Sequence, residues 1–335
     1  VRAASARISG IGVYLPEKTR PTRETEARLR ESNPRLRLAT GLIDRMTGVT
    51  SVHVRPDDWQ TSDLAAAAST VALEESPGEI DLLLFASASQ DLIEPATSHI
   101  VAAKLGLTCP VMDIKNACNS VINAMQVAEA LIATGQYRRV LIASGEQPSH
   151  AVRWQLRDHE QFIRSFPGYT MSDGGAAVII EKTDDPGRGI LDSSFHAVSR
   201  HWDIGTLPTG GSMNPRDPDG SYFDMDGAGL QRAFLELGPE PVLEILERNG
   251  LGWDDIDLVA IHQVAAPYLP PILDRLGVEA SKIVETVADH GNLASVTLPL
   301  QVQRARRDGL LPDGGLALLI GLAGGISLGL MLVRV

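Results

Sequence analysis

Cysteine is scarce in this 335-residue chain, which contains only Cys109 and Cys118. Two cysteines make no disulfide framework, and no signal-peptide pattern opens the sequence, so a protein of a reducing cytoplasm is expected. Aromatic residues are sparse at 4%, which leaves no stacking platform for bases and gives the core to aliphatic side chains. Positive charge is in short supply too: 30 Lys and Arg stand against 42 Asp and Glu, a formal net charge of −12. That sign argues against nucleic acid and anionic membranes as partners. Long apolar runs are also missing. The most apolar stretch, Leu316 to Val333, is broken by Gly321, Gly324, Gly325, Ser327 and Gly329, and reads as two buried strands around a turn, not a membrane span. There is no phosphate-binding glycine loop or dinucleotide fingerprint. The cysteines lack zinc-ligand spacing, and the turns Asp217–Gly220 and Asp224–Gly227 lack the terminal Glu of an EF-hand. No metal and no permanently bound cofactor is expected.

What is present is a series of short aliphatic runs bounded by turn residues: 81–87, 140–143, 176–180, 257–261, 316–320 and 328–333. Such runs are strands buried on both faces. Ser120 to Thr134 is Ala-rich and apolar on nearly every side, with Gly135 at the C-cap position, and predicts a buried helix. Alternation of the two implies an α/β fold. An internal repeat adds to this: Ile80–Phe85 resembles Ile256–Ile261, and Val140–Ala143 resembles the run from Leu316, both at an offset of 176 residues. The chain is therefore expected to comprise two duplicated halves, 1–183 and 184–335, joined at the Pro- and Gly-containing stretch Asp184–Gly189. Two segments escape the repeat, Gln147–Ser172 and His201–Gly229; long insertions of this kind form lids, binding loops, surface decoration or dimer contacts.

Cys118 follows one strand-like run and begins the predicted helix. A helix start offers free N–H groups and partial positive charge, which would favour a thiolate and could serve an oxyanion. A lone buried cysteine is also an ordinary small hydrophobe, so position alone leaves both readings open. Cys109, before Pro110, reads as structural. His262 directly follows the 257–261 strand, where open α/β sheets place their sites, and could move a proton near neutrality or simply be a hydrogen-bonded strand-end histidine. Asn292, after Gly291, lies 174 residues beyond Cys118, near the repeat offset; an ordinary turn residue is its alternative reading.

Together these stretches resemble the 3-oxoacyl-acyl-carrier-protein synthase III branch of the thiolase superfamily. Ile8–Pro16 is similar to that family's first strand and turn, Asp113–Cys118 to its nucleophile motif, Ile261–Gln263 to its histidine motif, His290–Ser295 to its asparagine motif and Gly321–Gly329 to its C-terminal glycine loop. The resemblance implies a five-layer αβαβα thiolase fold, a homodimer or heterodimer, and transfer of an acyl group from coenzyme A or an acyl carrier protein to Cys118. It further implies His262 and Asn292 as donors to an enolate oxygen, and the backbone N–H groups of Cys118 and of Gly324 or Gly325 as an oxyanion hole. Asn119-Ser120 after the nucleophile and Leu293 after the asparagine depart from the family pattern, and the residues that grip coenzyme A in the family have no clear match here.

Glu94, in Glu94-Pro-Ala-Thr97, resembles a segment of relatives that join two acyl thioesters head to head, where the Glu reaches across the dimer as base. Arg304, Arg306 and Arg307 share a predicted helix whose charges either face solvent or meet an acidic carrier protein or coenzyme A phosphates. Claisen condensation is the leading expectation. Acyl transfer to a hydroxyl or amine, and a thiolase-fold partner subunit of a heteromeric synthase, stand beside it.

Overall fold

The computed structural model describes residues 5–335, so residues 1–4 of the expected first half lie outside the described residues. The aliphatic runs form two sheets. The first contains β1 (Ala6–Tyr14), β2 (Leu82–Ala86), β3 (Val111–Ile114), β4 (Arg139–Glu146) and β5 (Gly174–Lys182), in the order β1-β5-β4-β2-β3. The second contains β6 (Gly189–Ala197), β7 (Leu258–Ile261), β8 (Leu316–Ala323) and β9 (Ser327–Arg334), in the order β7-β8-β9-β6. The two share a plan. β4 runs parallel to β2, as β8 does to β7, and the remaining neighbours β5 and β1, or β9 and β6, are antiparallel. The offset seen in the sequence is thus a repeated strand topology, with Leu82 paired to Val140 and Leu258 to Ala317.

Helices fill three layers around these sheets. The predicted buried helix is α3 (Ser120–Ala133), and with α6 (Thr297–Arg307) it lies between the sheets, where Val121, Ile122, Met125, Leu298 and Val302 join the central apolar cluster. The outer face of the first sheet carries α1 (Thr61–Glu75) and α2 (Thr97–Leu105). The outer face of the second packs against α4 (Glu240–Arg248) and α5 (Leu269–Leu276) through Val242, Ile245, Leu269 and Leu273. These are the five layers of the thiolase fold. No helix among the described residues is long and apolar enough to cross a membrane.

Glycine sets the distance between α1 and its sheet. Gly145 and Gly175 face each other across β4 and β5. A Cβ on Gly145 would stand 2.0 Å from the carbonyl oxygen of Thr61, and one on Gly175 would stand 2.1 Å from that of Leu64. The helix backbone therefore rests in a notch that any side chain would close. Gly175→Ala is expected to cost about 1–3 kcal/mol through overpacking. Its urea midpoint checks this, and a midpoint equal to the parent's would show that the helix can lift at no cost.

The two insertions are less irregular than the sequence suggests. The first contains a helix, His159–Ser165, capped by Asp158 and packed through Phe162 on Tyr169. The second pairs Gly205–Thr206 with Asp224–Met225, and Asp226 then caps the helix Gly227–Glu236.

Candidate active site

Cys118 and His262 lie beyond the C-terminal ends of the parallel strands β3 and β7, as expected where a chain leaves such a sheet, and Asn292 follows the helix Val287–His290. Beyond β3 the chain turns sharply. Ala117 has φ 46°, in the left-handed region, and Cys118 comes next. Such a conformation costs a non-glycine residue on the order of 1–3 kcal/mol and needs support from its surroundings. Here the support is local: Ser120 Oγ accepts from the Asn116 N–H at 2.9 Å and donates to the Ala117 carbonyl at 2.7 Å. Asn119 is fully buried and donates from Nδ2 to the Ser327 carbonyl at 3.1 Å and to Ser327 Oγ at 3.0 Å. The Asn119-Ser120 departure thus ties the Cys118 loop to β9, just past the Gly324-Gly325 turn. That turn is open: Gly325 has φ 96°, and a Cβ on either glycine would meet nothing within 4 Å.

The helix start does not favour a thiolate as expected. Cys118 precedes the N-cap residue Asn119, outside the first turn where the helix dipole acts. Cys118 keeps some surface exposure, but the protein packed around it, with the nearby charge of Glu146 added, pushes its thiol up to about 12. The resting group is a neutral thiol. Cys109 is half-buried against the apolar cluster beneath α1, in keeping with a packing role.

His262 follows β7 and its N–H donates to the Ile320 carbonyl at 2.9 Å. It is 6% exposed, and burial lowers its pKa to about 4. Among the described residues nothing partners its Nδ1. An N–H there would be buried and unsatisfied, which costs more than a bare lone pair, so the neutral ring keeps its proton on Nε2. A histidine depressed from 6.5 to about 4 contributes stability that is complete above pH 6.5 and is lost as pH falls through that window, on the order of 3 kcal/mol. Urea titrations are expected to show this loss between pH 6.5 and 4, with His262→Asn flattening it. An equally steep profile in the variant would contradict a buried neutral His262.

Asn292 is held from three sides. Its N–H donates to the Thr170 carbonyl at 2.8 Å, its carbonyl accepts from the Ser172 N–H at 2.9 Å, and its Oδ1 accepts from the Ala294 N–H at 2.9 Å. The last contact fixes the amide so that Nδ2 remains as donor. Gly291 is required before it, because a Cβ there would stand 2.5 Å from the Thr170 carbonyl oxygen. Leu293, the other departure, is fully buried with Ala176, Val296 and Leu300. Ala294 has φ 48°, the counterpart of Ala117 in the other half.

Several bonds join these loops. Gln263, next to His262, accepts on Oε1 from the Thr286 and Val287 N–H groups, at 2.8 and 3.1 Å, and so holds the helix Val287–His290 that leads to Asn292. Glu146, at the end of β4, is 1% exposed and accepts from Ser295 Oγ in the Asn292 loop. Glu94 is exposed, and no hydrogen bond among the described residues joins it to Cys118, His262 or Asn292 within the chain. The sequence gives no hint of a further chain behind Asn292. Arg304 donates to His290 Nε2, His290 Nδ1 donates to His53 Nε2 at 2.8 Å, and His53 Nδ1 donates to the Pro16 carbonyl at 2.6 Å. Only neutral imidazoles satisfy this order, and burial lowers both pKa values, that of His290 to about 4. Arg304 is thus not a solvent-facing charge, and Arg306 pairs with Glu75 at 3.7 Å.

Models of the 3-oxoacyl-[acyl-carrier-protein] synthase III family match residues 112–199, and of its C-terminal portion residues 246–335. The beta-ketoacyl-[acyl-carrier-protein] synthase III of Thiobacillus denitrificans is 32% identical over 98% of this chain and 99% of its own length. That of Rhodospirillum rubrum is 34% identical over 98% of each. The chain belongs to the 3-oxoacyl-[acyl-carrier-protein] synthase III family. Among solved structures, a Xanthomonas campestris OleA variant with bound lauric acid and lauroyl-CoA superposes with TM-score 0.89 at 22% identity, over 99% of each chain. The Pseudomonas aeruginosa 3-oxoacyl-(acyl carrier protein) synthase III, FabH, superposes with TM-score 0.86 at 24% identity, over 98% of each. Both carry the thiolase fold described above. The matched residues include Cys118 in 112–199 and His262 and Asn292 in 246–335.

Proposed function

We propose that this condensing enzyme forms a carbon–carbon bond by Claisen condensation through an acyl thioester on Cys118, with His262 and Asn292 as enolate donors. The observation that carries the reading is the pair of donors left available: His262 Nδ1 is unpartnered among the described residues, which leaves Nε2 to hold the proton, and Asn292 Oδ1 is taken by the Ala294 N–H, which leaves Nδ2 to donate. A heteroatom acyltransferase needs His262 as base, and a cationic ring here would bury an unsatisfied Nδ1–H. In the first half-reaction the Cys118 sulfur attacks the thioester carbonyl, whose oxyanion receives the N–H groups of Cys118 and of Gly324 or Gly325. The carrier thiol leaves, taking the proton that Cys118 gives up. In the second, a malonyl thioester loses CO₂, and the enolate oxygen is held by His262 and Asn292 while its carbon attacks the acyl group. The Cys118 sulfur departs and is reprotonated. The N-terminal half to Thr183 supplies the nucleophile, and the half from Asp184 supplies the donors.

Coenzyme A or acyl-carrier-protein thioesters fit as donors. Arg20 and Arg28 lie 4.9 and 3.8 Å from the Trp154 ring and give this acidic chain a local cationic face for phosphate. Homodimerisation would cover β3, an edge strand with Met112 exposed. The two free cysteines suit a cytoplasmic site. A second reading rests on the loop before α2: Leu92 and Ile93 are 52% and 68% exposed beside Glu94, which suits a loop that enters a partner subunit and supplies Glu94 there as base for head-to-head condensation. Product analysis after adding malonyl or second acyl thioesters to the acylated protein tests these readings. A β-keto product with CO₂ release is expected. A β-keto product without CO₂ would favour Glu94, and an ester or amide would overturn the condensation reading.

A further inference from the structure

Glu146 has no part in the chemistry above, yet it is a buried carboxyl with no ion pair among the described residues. Its Oε1 accepts from the Ala88 N–H at 2.9 Å and from Ser295 Oγ; its Oε2 accepts from the Ser89 N–H at 3.2 Å and Ser89 Oγ at 3.0 Å. Ser295 Oγ is also 2.8 Å from Ser144 Oγ. Full burial pushes the Glu146 pKa up, and two donors on each oxygen oppose that shift by favouring an ionised, acceptor-only group. The arrangement joins three segments: the chain leaving β2, the end of β4 in the same half, and the Asn292 loop of the other half. Ser87 Oγ, bonded to the Gly145 carbonyl, and the Gln147 N–H, bonded to Ser89 Oγ at 3.0 Å, close the network around it.

The Asn292 loop needs such an anchor. Ala294 sits in the left-handed region, and it is the Ala294 N–H that orients the Asn292 amide. Ser295 is the next residue, fully enclosed, and its hydroxyl reaches across to the nucleophile-bearing half. Without that tie, the strained turn is free to relax toward ordinary φ, and the amide rotates with it.

We propose that Glu146 is a positioning residue for the condensation half-reaction, clamping the Asn292 loop through Ser295 so that Nδ2 is aimed at the enolate oxygen. This rests on the assignment of Cys118 and Asn292 given above. The clamp acts on one half-reaction only, because acyl transfer to Cys118 does not use Asn292. The same carboxylate faces the Cys118 thiol electrostatically; it is the charge among the described residues that acts on that thiol, His262 is neutral above about pH 4, and the groups bonded to Glu146 are uncharged.

Ser295→Ala keeps three of the four Glu146 contacts and removes the tie. On the full-length protein, it is expected to lower single-turnover condensation about 10- to 100-fold, while acylation of Cys118 by an acyl thioester changes less than about 2-fold. Glu146→Gln places an amide N–H against the Ala88 or Ser89 N–H and should show the same split. A purely structural role would lower both half-reactions together. Parallel losses, or full condensation by Ser295→Ala, would overturn the proposal. If the parent protein forms no acyl adduct at all, it is the Cys118 assignment that fails. Thermal unfolding of both variants shows whether loss of fold accounts for any parallel loss.

Discussion

Cys118→Ala is expected to lower β-keto product formation by at least about 10⁴-fold, because it removes the atom that carries the acyl group between the two half-reactions. The loss should be selective. Decarboxylation of a malonyl thioester needs the enolate donors and not the sulfur, so CO₂ release should survive in this variant, uncoupled from carbon–carbon bond formation. Parallel assays of CO₂ and product check this. The resting thiol is raised to about 12, so mild alkylating reagents at neutral pH should label Cys118 slowly in the parent. On the proposed mechanism its reactivity comes from a bound thioester and the oxyanion hole, not from a preformed thiolate.

Asn292→Ala is expected to show the complementary pattern. A single well-placed donor to an oxyanion is worth about 10²–10³ in rate, so condensation should fall by that factor while acylation of Cys118 persists. Asn292→Asp tests the direction of the bond. Its backbone contacts to Thr170 and Ser172 and its acceptance from Ala294 can all remain, but the free atom becomes an anionic acceptor facing an enolate. A loss at least as large as that of alanine is expected, measured by single-turnover condensation of the pre-acylated protein. Activity equal to the parent's in Asn292→Asp would exclude Asn292 as a donor.

Much of the scaffold is legible in the sequence because it obeys local rules. The buried strands are continuous aliphatic runs, α3 is a stretch of strong helix formers ended by Gly135, and the repeat offset marks the same strand plan twice. Strand-like runs place Cys118 and His262 just past strand ends, and Asn292 follows a short helix. What is not legible depends on long-range contact. Nothing in Asn116-Ala-Cys118 or Leu293-Ala-Ser295 signals positive φ, since alanine disfavours it; the Ser120 hydroxyl in one loop and the Asn292 and Glu146 side chains in the other hold it. Glu146 ends a strand and reads as ordinary surface charge until Ser295 arrives from the other half. Arg304 looks solvent-facing on its helix, and its partner His290 becomes visible only when α6 is folded against the first sheet. The Cys118 environment is misjudged for the same reason: helix position is local, while the burial and carboxylate that dominate it are tertiary.

Intact-mass analysis after incubation with an acyl thioester, with the modified peptide mapped, tests the central claim most directly. One acyl group per chain on Cys118, discharged with product formation when a malonyl thioester is added, is the predicted result. No adduct, an adduct on another residue, or an adduct that the second thioester leaves in place while product accumulates would contradict it.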